Sequence, residues 1–475
     1  MSRIKEFFKS SMLYFLGSVL SNLVIFLLLP VYTKYFSTDE YGYFDAIRSY
    51  TVLITSVAFI QIHTIVLRFM YDFNGKDRDK PVSNALCLFG ISTVLTAILI
   101  YVLSFFVEVH FLPLVIGFAL AECFQGFFCY VARGYGKNVL FAVSGVIATV
   151  VNALSNIILI MVFGWNYEAL YVSMIISVAV QCVIIEINTG VFRKFKAEHV
   201  SLDMLRQMMK LGIPFCLNIA AFWFLNTYSR TVIVDKLGTG YNGIYAVASK
   251  FTLVLNVLAN CVALSWQEMA FEKGADEKET MESLGKYYTK AGNLYLDVLC
   301  YGALLILPAI KIVFPIFVDA EYHSGLSIIP LAVVAAIISI YCSFETSIFS
   351  SIKKNFFIFV SATVGAVVNV ILVNMFIMEY RLQGVNVALI AGFFVNAVIG
   401  AIALYYMIGF KCNLWILVKF LVLFVPAYYI YMNFGALVNI GWVLIVLILA
   451  AIQYRKELTG FLKVIKSRTE RTDKL

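Results

Sequence analysis

Six basic residues lie inside long apolar stretches of the sequence: Arg48, Arg68, Arg230, Lys250, Lys311 and Lys419. If these stretches are membrane helices, a charge within them is costly unless it faces water, a ligand or an opposite charge. Intramembrane ionisable residues therefore mark substrate or ion pathways by default. Arg68, Lys311 and Lys419 fall towards the ends of their stretches, so we expect their side chains to extend to the membrane surface.

Two of these cations lie deeper. Arg48 and Lys250 follow a glycine by six and seven residues, which places them about 9 to 10 Å from the outer end of a helix. We predict that both face a polar space and bind substrate, with surface anchoring or structural ion pairing as the alternatives. Arg230 lies about one turn from the outer end of its stretch. From this position its side chain could equally bind substrate or anchor the helix at the membrane surface.

Three carboxylates are candidates for an ion-coupling site. Glu122 falls near the middle of its apolar stretch, and Glu345 lies within a later one. A carboxyl group at the membrane midplane is protonated, paired, or part of a proton or sodium relay, and the sequence leaves these choices open. Asp45 precedes Arg48 by three residues, so it is either a third ion-site candidate or the counter-charge of that arginine.

The composition indicates an integral membrane protein. The chain of 475 residues is 62% hydrophobic and 13% charged, with a mean hydropathy of +0.89. Its net charge of +8 does not indicate nucleic-acid binding, because the basic residues cluster between apolar runs. The nine cysteines lack metal-ligand or redox spacing, so no metal, cofactor or disulfide framework is predicted. The uncharged segment 10–33 is predicted as a retained first helix and not a signal peptide.

Fourteen apolar runs, from 10–34 to 437–454, are long enough to cross a bilayer as helices. With the N-terminus in the cytosol, the inner segments hold 27 Lys and Arg residues and the outer loops hold three. This asymmetry predicts that both termini are cytosolic. The outer loops are about a dozen residues or fewer.

The chain carries an internal repeat. Residues 137–152 (KNVLFAVSGVIATVVN) and 354–369 (KNFFIFVSATVGAVVN) share seven of sixteen positions, and each begins a helix on the cytosolic side. A second pair, 38–51 and 239–252, aligns a glycine with a glycine at the start of the second and eighth helices. We therefore predict an all-α fold of two parallel six-helix lobes, with a substrate site between them. The predicted parts are an N-terminal lobe (1–190), a cytosolic linker (191–209), a C-terminal lobe (210–410), and two further helices with a basic tail (411–475).

Three segments resemble the polysaccharide transporter family, the Wzx-type flippases of the multidrug/oligosaccharidyl-lipid/polysaccharide exporter superfamily. They are LPVYTKYFSTDEYGYFD (29–45), KLGTGYNGIYAVASKF (236–251) and FVDAEYHSGLSIIPLAVV (317–334). The resemblance implies two lobes around a central cavity, lined by the first, second, seventh and eighth helices. Five amide side chains on these helices could bind sugar hydroxyls or link neighbouring helices: Asn22, Gln61, Asn218, Asn226 and Asn256.

The resemblance also implies a function in the bacterial plasma (inner) membrane. A polyprenyl-pyrophosphate-linked oligosaccharide, such as an O-antigen, capsule or exopolysaccharide unit, would be flipped from the cytosolic to the outer leaflet. Its pyrophosphate would need cations in a wet cavity, and H+, Na+ or the membrane potential would drive the step. Membrane lipids and a polysaccharide polymerase are the expected partners. A cation-coupled multidrug exporter is the alternative; a membrane polymerase or glycosyltransferase is less favoured, because the short outer loops leave little room for sugar chemistry.

Overall fold

The computed structural model describes residues 22–24, 26–73, 75–275 and 280–455. Within these ranges the regular elements are all helices. Ten of the described helices are long and apolar enough to cross a membrane, or eleven when one bent pair counts as a single span. The chain is therefore a multi-pass membrane protein, as its composition predicted. Most of the predicted first span, 10–34, lies outside the described residues.

The first half of the chain forms seven described helices. They are α1 (Leu29–Tyr35), α2 (Thr38–Ala58), α3 (Ile62–Met70), α4 (Asp79–Leu103), α5 (Leu112–Gly134), α6 (Asn138–Ile157, continued by a π-helical turn over Ile158–Val162) and α7 (Glu168–Thr189). α2 begins with a capping box, in which Ser37 and Glu40 satisfy each other's backbone N–H groups. α2 and α3 meet at a bend of 45° and together are long and apolar enough to count as one broken span.

The second half forms eight described helices. They are α8 (Leu202–Asn226), α9 (Tyr228–Leu237), α10 (Thr239–Ala275), α11 (Met281–Phe317), α12 (Ile329–Ser351), α13 (Phe356–Ile408), α14 (Leu414–Asn433) and α15 (Ala436–Gln453). α8 begins at Leu202, so its first turns lie within the range predicted as linker. The residues before it pack on α4, where Asn84 donates to His199 O (2.7 Å) and accepts from Ser201 N–H (2.9 Å).

The 53-residue helix α13 is a hairpin of two spans. Its backbone leaves the helical region at Arg381 (φ 49°, ψ −133°), near the middle of the segment. A Cβ added to Gly365 would lie 2.6 Å from Gly392 O, and one added to Gly392 would lie 2.8 Å from Gly365 O. Residues on either side of Arg381 are therefore packed side by side, and two glycines permit their close approach. The two arms correspond to the predicted eleventh and twelfth helices.

The repeat seen in the sequence recurs in the backbone. Lys137 N–H bonds to Ala132 O (3.0 Å), and Lys354 N–H, 217 residues later, bonds to Phe349 O (2.9 Å). The residue before each lysine has a left-handed conformation, Gly136 with φ 77° and Lys353 with φ 58°. The turn that starts α6 is thus repeated at the start of α13, as expected of a parallel duplication.

Candidate functional site

The two halves of the chain meet at the first turns of α2 and α10. A Cβ added to Gly42 would lie 1.9 Å from Thr239 O, and one added to Gly243 would lie 2.0 Å from Thr38 O. Only glycine permits so close a contact. The two glycines aligned by the sequence repeat therefore lie against each other across an approximate two-fold axis. We call this contact (Thr38, Gly42, Thr239 and Gly243) the outer seam, because it lies on the side predicted to face outwards.

Polar side chains reinforce the outer seam. Thr38 donates from its N–H (2.8 Å) and its hydroxyl (2.9 Å) to Glu321 Oε1. Three further hydrogen bonds cross between the halves, from Asn242 Nδ2 to Gly42 O (2.7 Å), from Thr239 Oγ1 to Asp39 Oδ1 (2.6 Å) and from Trp223 Nε1 to Ser49 O (2.9 Å). These bonds hold the halves together on the predicted outer side.

Arg230 and Asp45 form an ion pair across the same interface. Their side chains are 19% and 10% exposed, and Asn242 Nδ2 also lies 3.4 Å from Asp45 Oδ2. The Arg230 guanidinium lies 5.8 Å from the centre of the Tyr245 ring. The sequence offered Arg48 as the counter-charge of Asp45, but the structure pairs Asp45 with Arg230 from the other half. Arg230 is consequently an interface residue and not an anchor at the membrane surface.

Arg48 and Lys250 lie beside this ion pair. Both are half-buried, and within the described residues neither side chain makes an ion pair or a hydrogen bond. The charges of Arg48 and Arg230 both act on Lys250, so the three cations share one electrostatic neighbourhood. Of the three, Arg230 has a carboxylate partner within the described residues. Arg48 and Lys250 are thus two basic side chains without an ion-pair partner there, an arrangement that favours binding of an anion.

Aromatic residues of this neighbourhood were not singled out in the sequence. Tyr41 is buried and lies within electrostatic range of Arg48 and Arg230, and Tyr245 is buried beside Arg230. Both belong to the segments that the repeat aligned, 38–51 and 239–252. The aligned repeat segments therefore contain these aromatic residues and the cations as well as the two glycines.

Asn369 lies at the break in the helix that precedes Arg230. The helix that carries Arg230 is interrupted at Thr227 (φ −124°, ψ −25°), between α8 and α9. The fully buried Asn369 donates from Nδ2 to Phe224 O (3.1 Å) and Leu225 O (3.2 Å) at this interruption. Asn369, the last residue of the second repeat copy, thus links α13 to the end of α8. Its counterpart Asn152 instead accepts from Asn156 in its own helix (2.8 Å to the backbone carbonyl).

We expect Asn369→Ala to destabilise the protein by about 1 to 3 kcal/mol, because it leaves buried carbonyls without a donor. Asn152→Ala is the matched control and should change stability by less than about 0.5 kcal/mol. Thermal unfolding of both variants in detergent measures the difference. Equal effects at the two positions would show that the interruption of the helix does not depend on Asn369.

Glu122 lies apart from the ion pair, at the bend between α2 and α3. It lines a cavity of about 90 Å³ together with Thr55, Ser56, Gln61 and His63. Glu122 is half-buried, and within the described residues its carboxylate makes no ion pair or hydrogen bond. Arg48 lies within electrostatic range of it. The bend therefore brings together two of the predicted site residues, Glu122 and Gln61.

The other predicted amides do not form one cluster in the described structure. Asn226 is exposed and donates to Phe222 O of its own helix (2.8 Å). Asn218 and Asn256 are half-buried, and the Asn218 Oδ1 atom is buried without a donor. Asn22 is half-buried at the start of the described residues.

Glu345 is buried on α12, with 3% of its surface exposed. Its Oε1 atom has no hydrogen-bond partner in the described part of the chain. A Cβ added to Gly400 would lie 2.4 Å from Glu345 Oε2, so the missing side chain of Gly400 makes room for the carboxyl group. Glu345 is therefore tightly packed against Gly400.

Lys419, expected to extend to the membrane surface, forms an ion pair with the buried Asp297. Gln453 and Tyr454 donate to the same carboxylate. This network joins α11 to α14 and to the end of α15. Lys311, predicted to extend to the surface, lies 5.0 Å from the centre of the Tyr431 ring on α14. Both cations thus link α11 to α14, and the Lys419 network also reaches α15.

The chain was compared with known proteins. The model of a family described as "Polysaccharide biosynthesis protein" matches residues 7–266, more than half of the chain. No curated protein sequence matches the chain.

Solved transporter structures share its fold. The structure "Lipid II flippase MurJ, inward closed conformation" is 15% identical, with a TM-score of 0.71 over 95% of this chain and 100% of that one. An inward-facing multidrug resistance MATE family transporter of the MOP superfamily is 16% identical, with a TM-score of 0.65 over 84% of this chain and 95% of that one. The structure of an outward-facing MATE family transporter of that superfamily is also 16% identical. Its TM-score is 0.58 over 84% of this chain and 94% of that one. The chain therefore shares the fold of these structures, which confirms the predicted all-α, multi-helix architecture.

Proposed function

The chain belongs to the polysaccharide biosynthesis protein family, and on that premise we propose that it flips a polyprenyl-pyrophosphate-linked oligosaccharide from the cytosolic to the outer leaflet. The observation that carries this proposal is the pair of basic side chains, Arg48 and Lys250, which have no ion-pair partner in the described residues. The chain thereby exports a repeat unit of a surface polysaccharide by alternating access. The protein lies in the bacterial plasma membrane with both termini in the cytosol.

A pyrophosphate explains why two cations remain unpaired. Burying an unpaired ion in a medium of low dielectric constant costs tens of kcal/mol in the Born limit, so the headgroup needs counter-charges along its path. Arg48 and Lys250 supply one charge each, and their mutual repulsion is relieved when an anion of two or more charges binds between them. Tyr41 and Tyr245, on the same helices as these cations, line the same region with aromatic groups.

The oligosaccharide needs hydrogen-bonding groups that tolerate many sugars. Asn218 and Asn256 are proposed to face the cavity and to bind sugar hydroxyls, with Asn22, Gln61 and Asn226 as further members of this polar set. In this function, residues 1–190 and 210–410 form the two lobes, and residues 191–209 link them. A polysaccharide polymerase receives the flipped unit.

A second candidate function is cation-coupled export of small amphipathic compounds. The observation that favours it is the buried Glu345, since a carboxyl group in the second lobe suits proton exchange with a cationic drug. The unpaired Arg48 and Lys250 disfavour it, because a cavity with excess positive charge repels cationic compounds.

Reconstitution in proteoliposomes tests the proposal. Polyprenyl-pyrophosphate oligosaccharide is placed in both leaflets, and a membrane-impermeant glycosidase then cleaves what becomes exposed outside. We expect the glycosidase to cleave more than the half of the lipid-linked oligosaccharide that starts in the outer leaflet. In protein-free liposomes, cleavage should stop at that half. Cleavage that stops at one half, together with efflux of a cationic dye, would overturn the proposal in favour of the exporter.

A further inference from the structure

The span that carries Arg48 is interrupted without glycine or proline. Ile60 and Gln61 both have left-handed backbone conformations, with φ of 47° and 53°. Such a conformation costs roughly 1 to 2 kcal/mol for each L-residue other than glycine. It persists only where the surroundings impose it, and such strain concentrates at functional sites. The tertiary structure therefore maintains this interruption against the preference of its own residues.

The interruption frees backbone carbonyls inside the membrane. Ile60 N–H bonds to Val57 O (3.1 Å), and Ile62 N–H bonds to Phe59 O (2.9 Å). The carbonyls of Ser56 and Ala58 consequently lose the donors that a continuous helix would provide. In the described structure the contact to Ser56 O is a weak one from the Cys216 thiol, at 3.6 Å. Non-helical backbone at this depth is tolerated where it lines a cavity that holds water or ions.

A cavity lies at this point. Its volume of about 90 Å³ is several times the roughly 10 to 15 Å³ that one water needs. Glu122, Gln61 and Thr55, which carry a carboxyl, an amide and a hydroxyl group, are among its lining residues, beside apolar residues such as Phe59 and Phe127. Gly126 also lines it, and the His63 ring lies 3.6 Å from the place where a Cβ of Gly126 would be.

We propose that this cavity binds one monovalent cation, H+ or Na+, on Glu122. The cavity offers one carboxylate and several neutral oxygens, which compensate a single positive charge and not two. Interrupted membrane helices bind coupling ions in this way, through freed carbonyls and the ends of half-helices. Around Glu122, the described elements place Arg48 on α2, His63 on α3, Cys123 and Tyr130 on α5, and Cys216 on α8. His63 packs edge-on against the Tyr130 ring at 4.9 Å and serves as a wall of the site.

The cation site is linked to the anion site through Arg48. The positive charge of Arg48 acts on Glu122, so it weakens cation binding until an anion neutralises it. A pyrophosphate on Arg48 should therefore tighten the cation on Glu122, and the cation should tighten the pyrophosphate by the same factor. This consequence rests on the proposed function, whereas the cation site itself does not.

Cation binding to the purified protein without substrate tests the site. We expect the wild type to bind about one ²²Na+ per chain, or, without Na+, to take up one proton that Na+ does not displace. Either result supports the proposal and identifies the ion. Glu122→Gln should weaken the binding at least tenfold, and Glu122→Asp should retain part of it. Glu379→Gln, which removes an exposed carboxyl group outside this cavity, is the control and should bind like the wild type.

Two results would overturn the proposal: a wild type that takes up neither ion, or a Glu122→Gln variant that elutes as a single species and binds as well as the wild type. Because the assay contains no lipid-linked sugar, it gives its answer whether or not the protein flips that substrate. A negative flipping assay with intact cation binding would instead overturn only the proposed substrate.

Discussion

Replacing Arg48 and Lys250 together by alanine is expected to abolish translocation of the lipid-linked oligosaccharide. Each cation can make a charge-assisted contact with the pyrophosphate, worth about 1.5 to 3 kcal/mol. Losing two such contacts predicts a rate lower by roughly 10²- to 10⁴-fold at limiting substrate, since about 1.4 kcal/mol is a factor of ten. The fold should survive, because neither side chain has an ion-pair or hydrogen-bond partner in the described structure.

Two further variants serve as references for the Arg48→Ala/Lys250→Ala protein. Arg68→Ala is the matched control, because Arg68 lies on α3 of the same span but pairs with Asp72 at an exposed position; it should flip like the wild type. The exchange Arg48→Lys with Lys250→Arg keeps both charges and should retain measurable transport. Initial cleavage rates in the glycosidase assay quantify all three. Wild-type rates in the double alanine variant would show that the headgroup crosses without these cations.

Local sequence rules located the cations but not their partners. Asp45 was a candidate partner of Arg48 because three residues separate them, one turn of a helix. Its actual partner, Arg230, is 185 residues away and becomes a neighbour only when the two lobes meet. Lys419 was assigned to the surface from its position near a helix end, although Asp297 on a distant helix binds it. Ion pairs between membrane helices depend on packing, which a single sequence does not specify.

The repeat carried more information than the individual residues. It predicted equivalent turns before α6 and in front of α13, and both are present with matching hydrogen bonds. The repeat also aligned Gly42 with Gly243. Such an alignment indicates that the two residues are equivalent, but it does not predict that they are in contact. Their contact follows from the two-fold relation of the lobes, because residues close to such an axis meet their own equivalents.

The bend at Ile60 and Gln61 had no signal in the sequence. Helix interruptions are predicted from glycine or proline, and neither occurs there. Gly212 on α8 makes the bend possible from outside, since a Cβ at that position would lie 2.4 Å from the Ile60 side chain. The glycine that accommodates the bend thus lies about 150 residues from it in the chain. Glu122 was correctly placed within the membrane, but its cavity depends on this tertiary contact.

Joining the lobes across the outer seam is expected to stop translocation completely and reversibly. Alternating access requires the two lobes to separate on the outer side when the substrate leaves. Asp39 and Thr239 lie on opposite lobes, and their side-chain oxygens are 2.6 Å apart. Cysteines at these two positions, in a variant without the nine native cysteines, would be bridged by a short thiol-specific reagent. Flipping should fall to the level of empty liposomes and return after reduction.

The matched control joins two residues within one lobe. Tyr43 and His110 lie near the same side of the molecule, with ring centres 4.6 Å apart, and both belong to the first half of the chain. Bridging cysteines at these positions should leave transport unchanged, because no motion between the lobes is blocked. The seam-bridged protein should still bind the lipid-linked substrate from the cytosolic side, which separates a blocked exit from a damaged site. If it flips at the wild-type rate, the glycine contact between α2 and α10 stays closed throughout transport, and the pyrophosphate path must leave Arg48 and Lys250 in another direction.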